Sequence, residues 1–377
     1  MNKRILLIAS LYNSLYYFRG DFIKELIDYG YDVYTLAPNL HDKVNKQLTD
    51  LGAKTLEFNL SRTGINPLRD LKSIKQLKQI IKEYKIDLVF PYTIKPVIYG
   101  SLAANMCKIP VISLITGLGF TFTGISRKAR ILQKLNETLY RFALKNNKYV
   151  VFQNDDDRQL FYERKILTSK QKTDLVSGSG INLNTYPYRE NHKITNDISF
   201  VIVARMIAEK GIALFIDAAK KLKKKYPEAQ FHLIGSPYNS PTAIKEEVLL
   251  EAHEKRTCIY HGSQNDISGH LTTKDIFVLP SYYREGIPRS ILEALSIGMP
   301  IITTKTPGCK ETVKKDYNGI LIEPRSLEPL IEAMEFFLNH KEKIKEYGEN
   351  SRHYAEERFD VNIINKQLLH LINETIQ

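Results

Sequence analysis

Glu285 and Glu293 stand eight positions apart in Ser281-Tyr282-Tyr283-Arg284-Glu285-Gly286-Ile287-Pro288-Arg289-Ser290-Ile291-Leu292-Glu293-Ala294, on either side of a Gly/Pro turn. The apolar run Ile276-Phe277-Val278-Leu279-Pro280 before them reads as a buried parallel strand, and the residues after the turn have the spacing of an amphipathic helix. Pro288 suits the first turn of that helix, where a missing N–H costs no hydrogen bond. Amide N–H groups at a helix N-terminus form a site for anions, phosphate above all. Glu285 is expected in the loop facing that site, and Glu293 about two turns down the helix, placed to accept hydrogen bonds from a ribose diol. Two isolated glutamates are most often a solvated surface pair. Strand, turn and helix around this pair point instead to a nucleotide.

A second pair of charges has the complementary sign. Arg205 and Lys210 lie in Val201-Ile202-Val203-Ala204-Arg205-Met206-Ile207-Ala208-Glu209-Lys210-Gly211, just beyond an apolar strand, where open α/β sheets bind ligands. An arginine fork and a lysine point charge suit a diphosphate, although an ordinary exposed basic pair would have the same residue types. A diphosphate leaving group needs cations or N–H donors as its charge develops. Gly286, Ile287 and Pro288 are expected to bring the backbone close to diphosphate and sugar, with Pro288 donating no hydrogen bond itself.

These segments resemble the E-x7-E signature and the Arg…Lys-Gly segment of the retaining glycosyltransferases of family 4. Phe231-His232-Leu233-Ile234-Gly235, the Gly262 to Asp266 loop, and Thr306-Pro307-Gly308-Cys309-Lys310-Glu311 leading to Asn318-Gly319 are similar too, in the family's order over about residues 200 to 325. The resemblance implies an α/β chain of the GT-B fold: two Rossmann-like domains facing across a cleft, with a C-terminal helix crossing back to the first. It implies Glu293 at the ribose, Glu285 at the O3 and O4 hydroxyls of the transferred sugar, and main-chain atoms near Gln264 at the base. An Asn/Asp-rich turn at Gln264-Asn265-Asp266 would look the same. Retention, a UDP-sugar donor (a hexose or N-acetylhexosamine), and the lack of any cofactor or metal follow from the resemblance alone. No side-chain nucleophile is established for this class; a front-face path is favoured, in which the leaving diphosphate helps deprotonate the acceptor. Glu285, Arg205 and Lys210 are therefore expected to contribute to catalysis without forming an acid/base dyad.

The N-terminal half resembles a narrower set. Tyr17-Phe18-Arg19 and Thr116-Gly117-Leu118-Gly119 are similar to segments of bacterial enzymes that extend undecaprenyl-diphosphate-linked sugars, including N-acetylgalactosaminyltransferases. That places Phe18, Arg19, Gly117 and Gly119 on the side of a polyprenyl-diphosphate-linked saccharide acceptor. Many relatives carry a histidine aimed at the donor sugar where this chain has Thr116; the lipid-linked subset also lacks it, and Thr116 is its expected substitute. The family's frequent Gly-Gly after the first strand is missing, since Leu11 to Phe18 contains no glycine. A non-catalytic nucleotide-sugar or membrane-binding subunit stays open through Thr116. A UDP-sugar 2-epimerase, also GT-B, fits the E-x7-E turn and the Arg205/Lys210 pair less well.

Apolar runs alternating with helical patterns must position these residues, which is the signature of parallel α/β architecture. Strands are expected at Arg4–Ala9, Asp32–Leu36, Lys54–Phe58, Leu88–Pro91, Val111–Ile115, Tyr149–Gln153 and Thr173–Val176, then near Ser199–Val203, Gln230–Ile234, Cys258–His261, Ile276–Leu279 and Pro300–Thr303. Asn182–Asp197 lapses into Asn, Pro, Tyr and charge and reads as a linker. The chain of 377 residues accommodates two domains, expected at 1–185 and 190–352, with a returning helix at about 355–377.

Charge is uneven. Residues 1–188 carry 28 Lys+Arg against 16 Asp+Glu, a net +12, whereas residues 189–377 carry 26 of each. A basic first half could face nucleic acid, an anionic membrane or a diphosphate, but no nucleic-acid-binding motif accompanies it. Within Ile125–Lys148, Arg127, Lys128, Arg130, Lys134, Arg141, Lys145 and Lys148 flank an apolar stripe of Ile131, Leu132, Leu135, Leu139, Phe142 and Ala143, with Glu137 the single acid. Such a helix can lie on a bilayer or bury its stripe in the domain core. No run is long enough to span a membrane, and the short N-terminal run Ile5–Ala9 reads as a strand rather than a signal peptide. Cys107, Cys258 and Cys309 show no paired framework, which fits a reducing cytoplasm. The expected location is therefore peripheral, on the inner face of the cytoplasmic membrane. Asp155-Asp156-Asp157 imitates a metal cluster but, after Asn154, reads as a capped helix start.

Overall fold

The structure is a computed structural model that describes residues 2–60, 67–119, 122, 127–190, 192–238 and 240–376. It divides into two compact units, Met1–Gly180 with Val361–Gln377, and Ile181–Asp360.

In the first unit the strands are β1 (Arg4–Ile8), β2 (Asp32–Ala37), β3 (Lys54–Glu57), β4 (Leu88–Pro91), β5 (Ile112–Ile115), β6 (Tyr149–Phe152) and β7 (Thr173–Leu175). Between them run α1 (Tyr12–Asp28), α2 (Asp42–Asp50), α3 (Pro67–Glu83), α4 (Ile94–Cys107), α5 (Arg127–Leu144) and α6 (Asp155–Glu163). Strand order is β3-β2-β1-β4 in one sheet and β5-β6-β7 in the next. Parallel bridges Val89↔Val111 and Tyr92↔Leu114 carry the first onto the second. Successive side chains of a strand point to opposite faces, and β1 serves two cores accordingly. Leu6 and Ile8 join Leu77, Val97, Ala104 and Tyr140 on one face; Ile5 and Leu7 join Leu15, Phe22 and Leu26 on the other. Asn154 caps α6 by accepting the Asp157 N–H at 2.8 Å, so the three aspartates form a first helical turn.

The second unit contains β8 (Ser199–Val203), α7 (Ile212–Lys225), β9 (Gln230–Ile234), α8 (Glu246–Glu254), β10 (Ile259–Tyr260), α9 (Ile267–Thr272), β11 (Ile276–Leu279), α10 (Arg289–Ile297), β12 (Ile301–Thr304), β13 (Gly319–Ile322), α11 (Leu327–Asn339) and α12 (Glu342–Tyr354). Its sheet is parallel in the order β10-β9-β8-β11-β12-β13. The order reverses between β8 and β11, and the carboxyl ends of strands at such a switch point form a ligand crevice.

Two expectations are corrected here. Residues 182–197 do not form a linker but belong to the second unit. They are polar because they satisfy carbonyls there: Arg189 donates to Gly298 O at 3.2 Å and Asp275 O at 2.9 Å, and His192 pairs with Asp275 at 2.6 Å. Strand β13 was not anticipated, its four residues following directly on the Asn318 turn. The closing helix α13 (Val361–Ile376) packs in the first unit, with Ile364, Leu368, Leu371 and Ile372 in the core beside α1. Glu374 accepts the Tyr149 hydroxyl at 2.6 Å. Gly180, at φ +72°, makes the approach possible, since a Cβ there would stand 2.6 Å from the Val361 Cα.

Candidate active site

The chain leaving β8 and the chain leaving β11 are joined by their backbones. Tyr282 N–H donates to Glu209 O at 2.8 Å, and the Ser281 hydroxyl donates to the same carbonyl at 3.2 Å. Gly211, at φ +75°, ends the turn Ala208–Lys210, and a Cβ on it would collide with Pro280 O. Only glycine fits there without strain. The Glu209 carboxylate accepts the Thr242 hydroxyl at 2.7 Å, while Ala208 N–H donates to Thr242 O at 2.8 Å. The loop after β9 thus braces the β8 loop from behind.

That brace presents Arg205 and Lys210 differently. Arg205 is exposed, its guanidinium 4.8 Å from the centroid of the Tyr238 ring. Lys210 is buried, and its ammonium is paired with Glu285 Oε1. The same carboxylate oxygen accepts the Ser281 hydroxyl at 3.0 Å. The side chains of Lys210 and Glu285 are 10% and 12% exposed, so the pair is largely shielded from water and its attraction is only weakly screened.

Beyond Glu285, Gly286 and Ile287 are buried, with the Ile287 side chain in the core, so the segment offers its main chain. Gly308 holds φ +85°, and a Cβ there would collide with Gly286 O. Its N–H donates to Glu311 Oε2 at 2.7 Å. The helix begins one residue later than the sequence indicated: Pro288, at φ −64° and ψ 120°, is the cap, and Arg289 is the first helical residue. Glu293 is therefore the fifth residue of α10, little more than one turn in, because the extended Pro288 ψ delays the first turn. Its Oε1 accepts the Tyr186 hydroxyl at 3.0 Å and Arg289 Nε at 3.4 Å. Burial pushes the Glu293 carboxyl up, against the opposing pull of Arg289 and Tyr186. Gln264 donates its side-chain amide to His261 O at 2.6 Å, which leaves its main chain as the part that can turn outward.

In the first unit, Thr116 is half-buried, and Gly117 and Gly119 hold φ +101° and +63°. Phe120 lies outside the described residues. Helix α1 puts Phe18 and Arg19 on different faces: Phe18 is exposed, whereas Arg19 is buried, its guanidinium 5.7 Å from the Tyr92 ring centroid. The stripe on α5 also divides. Leu139 and Ala143 pack into the core, while Ile131, Leu135 and Phe142 are exposed beside exposed Arg130, Lys134, Arg141 and Lys145. Ile125 and the side chains of Arg127 and Lys128 lie outside the described residues. Among the described residues, no helix is long and apolar enough to cross a membrane.

Sequence reasoning missed Ser281, Glu209, Tyr186 and Arg289. Ser281 and Glu209 were detectable as polar neighbours of Glu285 and Lys210. Tyr186 carried no signal, because its role depends on a fold-back that pattern alone does not show.

Known proteins match both halves. The family described as Glycosyl transferases group 1 matches residues 187–354, and the family described as Glycosyl transferase 4-like matches residues 4–154. An N,N'-diacetylbacillosaminyl-diphospho-undecaprenol alpha-1,3-N-acetylgalactosaminyltransferase of Campylobacter jejuni is 29% identical over 97% of this chain and 96% of its own length. A UDP-Gal:alpha-D-GlcNAc-diphosphoundecaprenol alpha-1,3-galactosyltransferase of Escherichia coli is 27% identical over 72% of this chain and 71% of its own. The crystal structure of a glycosyltransferase from Rickettsia africae matches with a TM-score of 0.79 at 19% identity, covering 100% of this chain and 99% of that one. With the switch-point site and the two Rossmann-like units, these matches make the chain a GT-B glycosyltransferase of the group 1 and family 4-like type.

Proposed function

We propose that the protein transfers a hexose or N-acetylhexosamine from a UDP-sugar to a polyprenyl-diphosphate-linked saccharide, with retention, while resting peripherally on the anionic inner face of a membrane. The observation that carries this reading is the pairing of Lys210 with Glu285, just ahead of the start of α10, at the β8/β11 switch point, with Arg205 on the chain leaving β8. Arg205, Lys210 and the N–H groups opening α10 bind the diphosphate and stabilise the charge it gains as the bond to the sugar C1 breaks. Glu293, oriented by Tyr186 and Arg289, accepts from the ribose hydroxyls. Gly286 and Ile287 line the diphosphate through their main chain, Pro288 shapes that turn, and the Gln264 main chain faces the base. Glu285 accepts from the sugar hydroxyls, and Thr116 is the substitute for the donor-sugar histidine of many relatives. The acceptor hydroxyl attacks the face the diphosphate leaves, and its proton passes to a diphosphate oxygen. Phe18, Gly117 and Gly119 serve the acceptor side; Arg19, being buried, supports that region from beneath. The lipid-linked substrates of the Campylobacter and Escherichia relatives support this acceptor class, and the exposed stripe of α5 supports contact with lipid.

The test is a panel of UDP-, GDP- and dTDP-sugars with synthetic polyprenyl-diphosphate sugars, in EDTA, read by mass spectrometry of the lipid. A sugar-sized increment from a UDP-sugar is expected. Tight UDP binding with no increment across a broad acceptor panel would overturn the enzymatic reading in favour of a non-catalytic subunit.

A further inference from the structure

The two side chains given opposite tasks in the donor site, Lys210 for the diphosphate and Glu285 for the sugar, hold each other in the structure. Their backbones cannot drift apart to resolve this. Gly211 is pressed against Pro280 O, Gly308 against Gly286 O, and Tyr282 N–H is bonded to Glu209 O at 2.8 Å. Any change must be an exchange of partners by the side chains themselves. A lysine ammonium has three donors but a single charge and a single position, so a diphosphate at this site draws it away from the Glu285 carboxylate.

We propose that the Lys210–Glu285 pair is a latch that discriminates donor from spent nucleotide. This rests on the reading above, that a UDP-sugar binds here. With UDP-sugar bound, the ammonium turns to the phosphate and Glu285 accepts from the sugar hydroxyls, so both charges keep partners. With UDP alone, Glu285 has no sugar hydroxyl to bind and faces the diphosphate as a like charge, in a site shielded from water where such repulsion is weakly screened. It then retakes Lys210. The residue that helps hold the donor thereby helps expel the product, and Ser281, 3.0 Å from the same carboxylate oxygen, keeps Glu285 in place for both.

Titration calorimetry with UDP, in EDTA, on the whole protein tests this. Glu285→Gln is expected to bind UDP about tenfold more tightly than the wild type, the order of one charge-assisted hydrogen bond released to the ligand. On a Lys210→Ala background the same substitution is expected to raise UDP affinity by less, because only the like-charge repulsion is then relieved and the competition for the ammonium is gone. Glu285→Asp, which withdraws the carboxylate by one methylene, gives the same sign at smaller size and serves if Glu285→Gln impairs folding. Unchanged or weaker UDP binding by both Glu285 variants, beside a wild type that binds UDP, overturns the latch and leaves the proposed function standing. A wild type that binds no UDP overturns both.

Discussion

The two units handle charge in opposite ways. The first, residues 1–180 with 361–377, holds 29 Lys+Arg and 17 Asp+Glu, so +12; the second, residues 181–360, holds 25 of each. In the second unit two largely shielded pairs of charges are matched, Lys210 with Glu285 and Arg289 with Glu293, while Arg205 is exposed. In the first unit, exposed cations of α5 flank exposed apolar side chains. Matched, buried charges recognise a small ligand of defined geometry, because each partner must be satisfied when the ligand displaces the other. An unbalanced, exposed set recognises a surface, since it attracts any extended anion without demanding one arrangement. Under the proposed function, this division matches a nucleotide-sugar bound by the second unit and a membrane met by the first.

The hardest test of that division removes a matched charge. Lys210→Ala is expected to lower transfer about a thousandfold, the scale on which loss of one preorganised donor to developing charge acts, and Glu293→Ala to abolish detectable turnover through lost ribose binding. Both proteins should remain folded by circular dichroism and bind anionic vesicles as the wild type does. Full transfer by either would remove that residue from the site. Next in size is Gly308→Ala, whose Cβ collides with Gly286 O at φ +85°. It should cost about 2 kcal/mol or more in unfolding free energy and weaken UDP binding, because the Glu285–Gly286 backbone must shift. An unchanged melting temperature would show that the loop is slack, and the site with it.

The complementary test addresses the surface. Ile131→Ser with Phe142→Ser, or Lys134→Glu with Lys145→Glu, is expected to reduce sedimentation with anionic vesicles at least tenfold, given about 1 kcal/mol per cation near such a surface. UDP affinity should stay unchanged. A loss of UDP binding without a loss of vesicle binding would break the division of labour.

Much of this was legible in the sequence, and the gaps have physical causes. Short apolar runs such as Ile276–Leu279 and Leu88–Pro91 lie fully buried in parallel sheets, so continuous hydrophobicity located them. The E-x7-E turn and Arg205/Lys210 were found because ligand residues cluster just after such strands. Tyr186 and Arg189 were lost because a segment that binds carbonyls and a carboxylate through side chains has no periodicity to read. The depth of Glu293 depended on one ψ angle at Pro288. The α5 stripe could not be apportioned between core and solvent, because periodicity records that a face is apolar and not what covers it.

The smallest expected effect sharpens the comparison from within the second unit. His232 is buried on β9 beside His261, Nδ1 to Nε2 3.0 Å, and among the described residues its own Nε2 has no hydrogen-bond partner. Burial, then the charges of Lys274 and His261, pull its pKa from 6.5 down to about 3, against a smaller pull from Asp275. The folded protein thus keeps His232 neutral where the unfolded chain would protonate it. The unfolded state binds the extra proton between about pH 6.5 and 3, so stability is full above pH 6.5 and falls as pH drops below it. The slope approaches about 1.4 kcal/mol per pH unit for one proton. His261, also pulled down chiefly by burial, adds in the same direction. Denaturant unfolding of wild type and His232→Leu between about pH 7.5 and 5.5, about one unit either side of the ordinary histidine pKa, should show the variant losing stability less steeply by close to one proton. Equal slopes would mean that water or an anion reaches His232, and that the second unit shields its charges less than the Lys210–Glu285 pair requires.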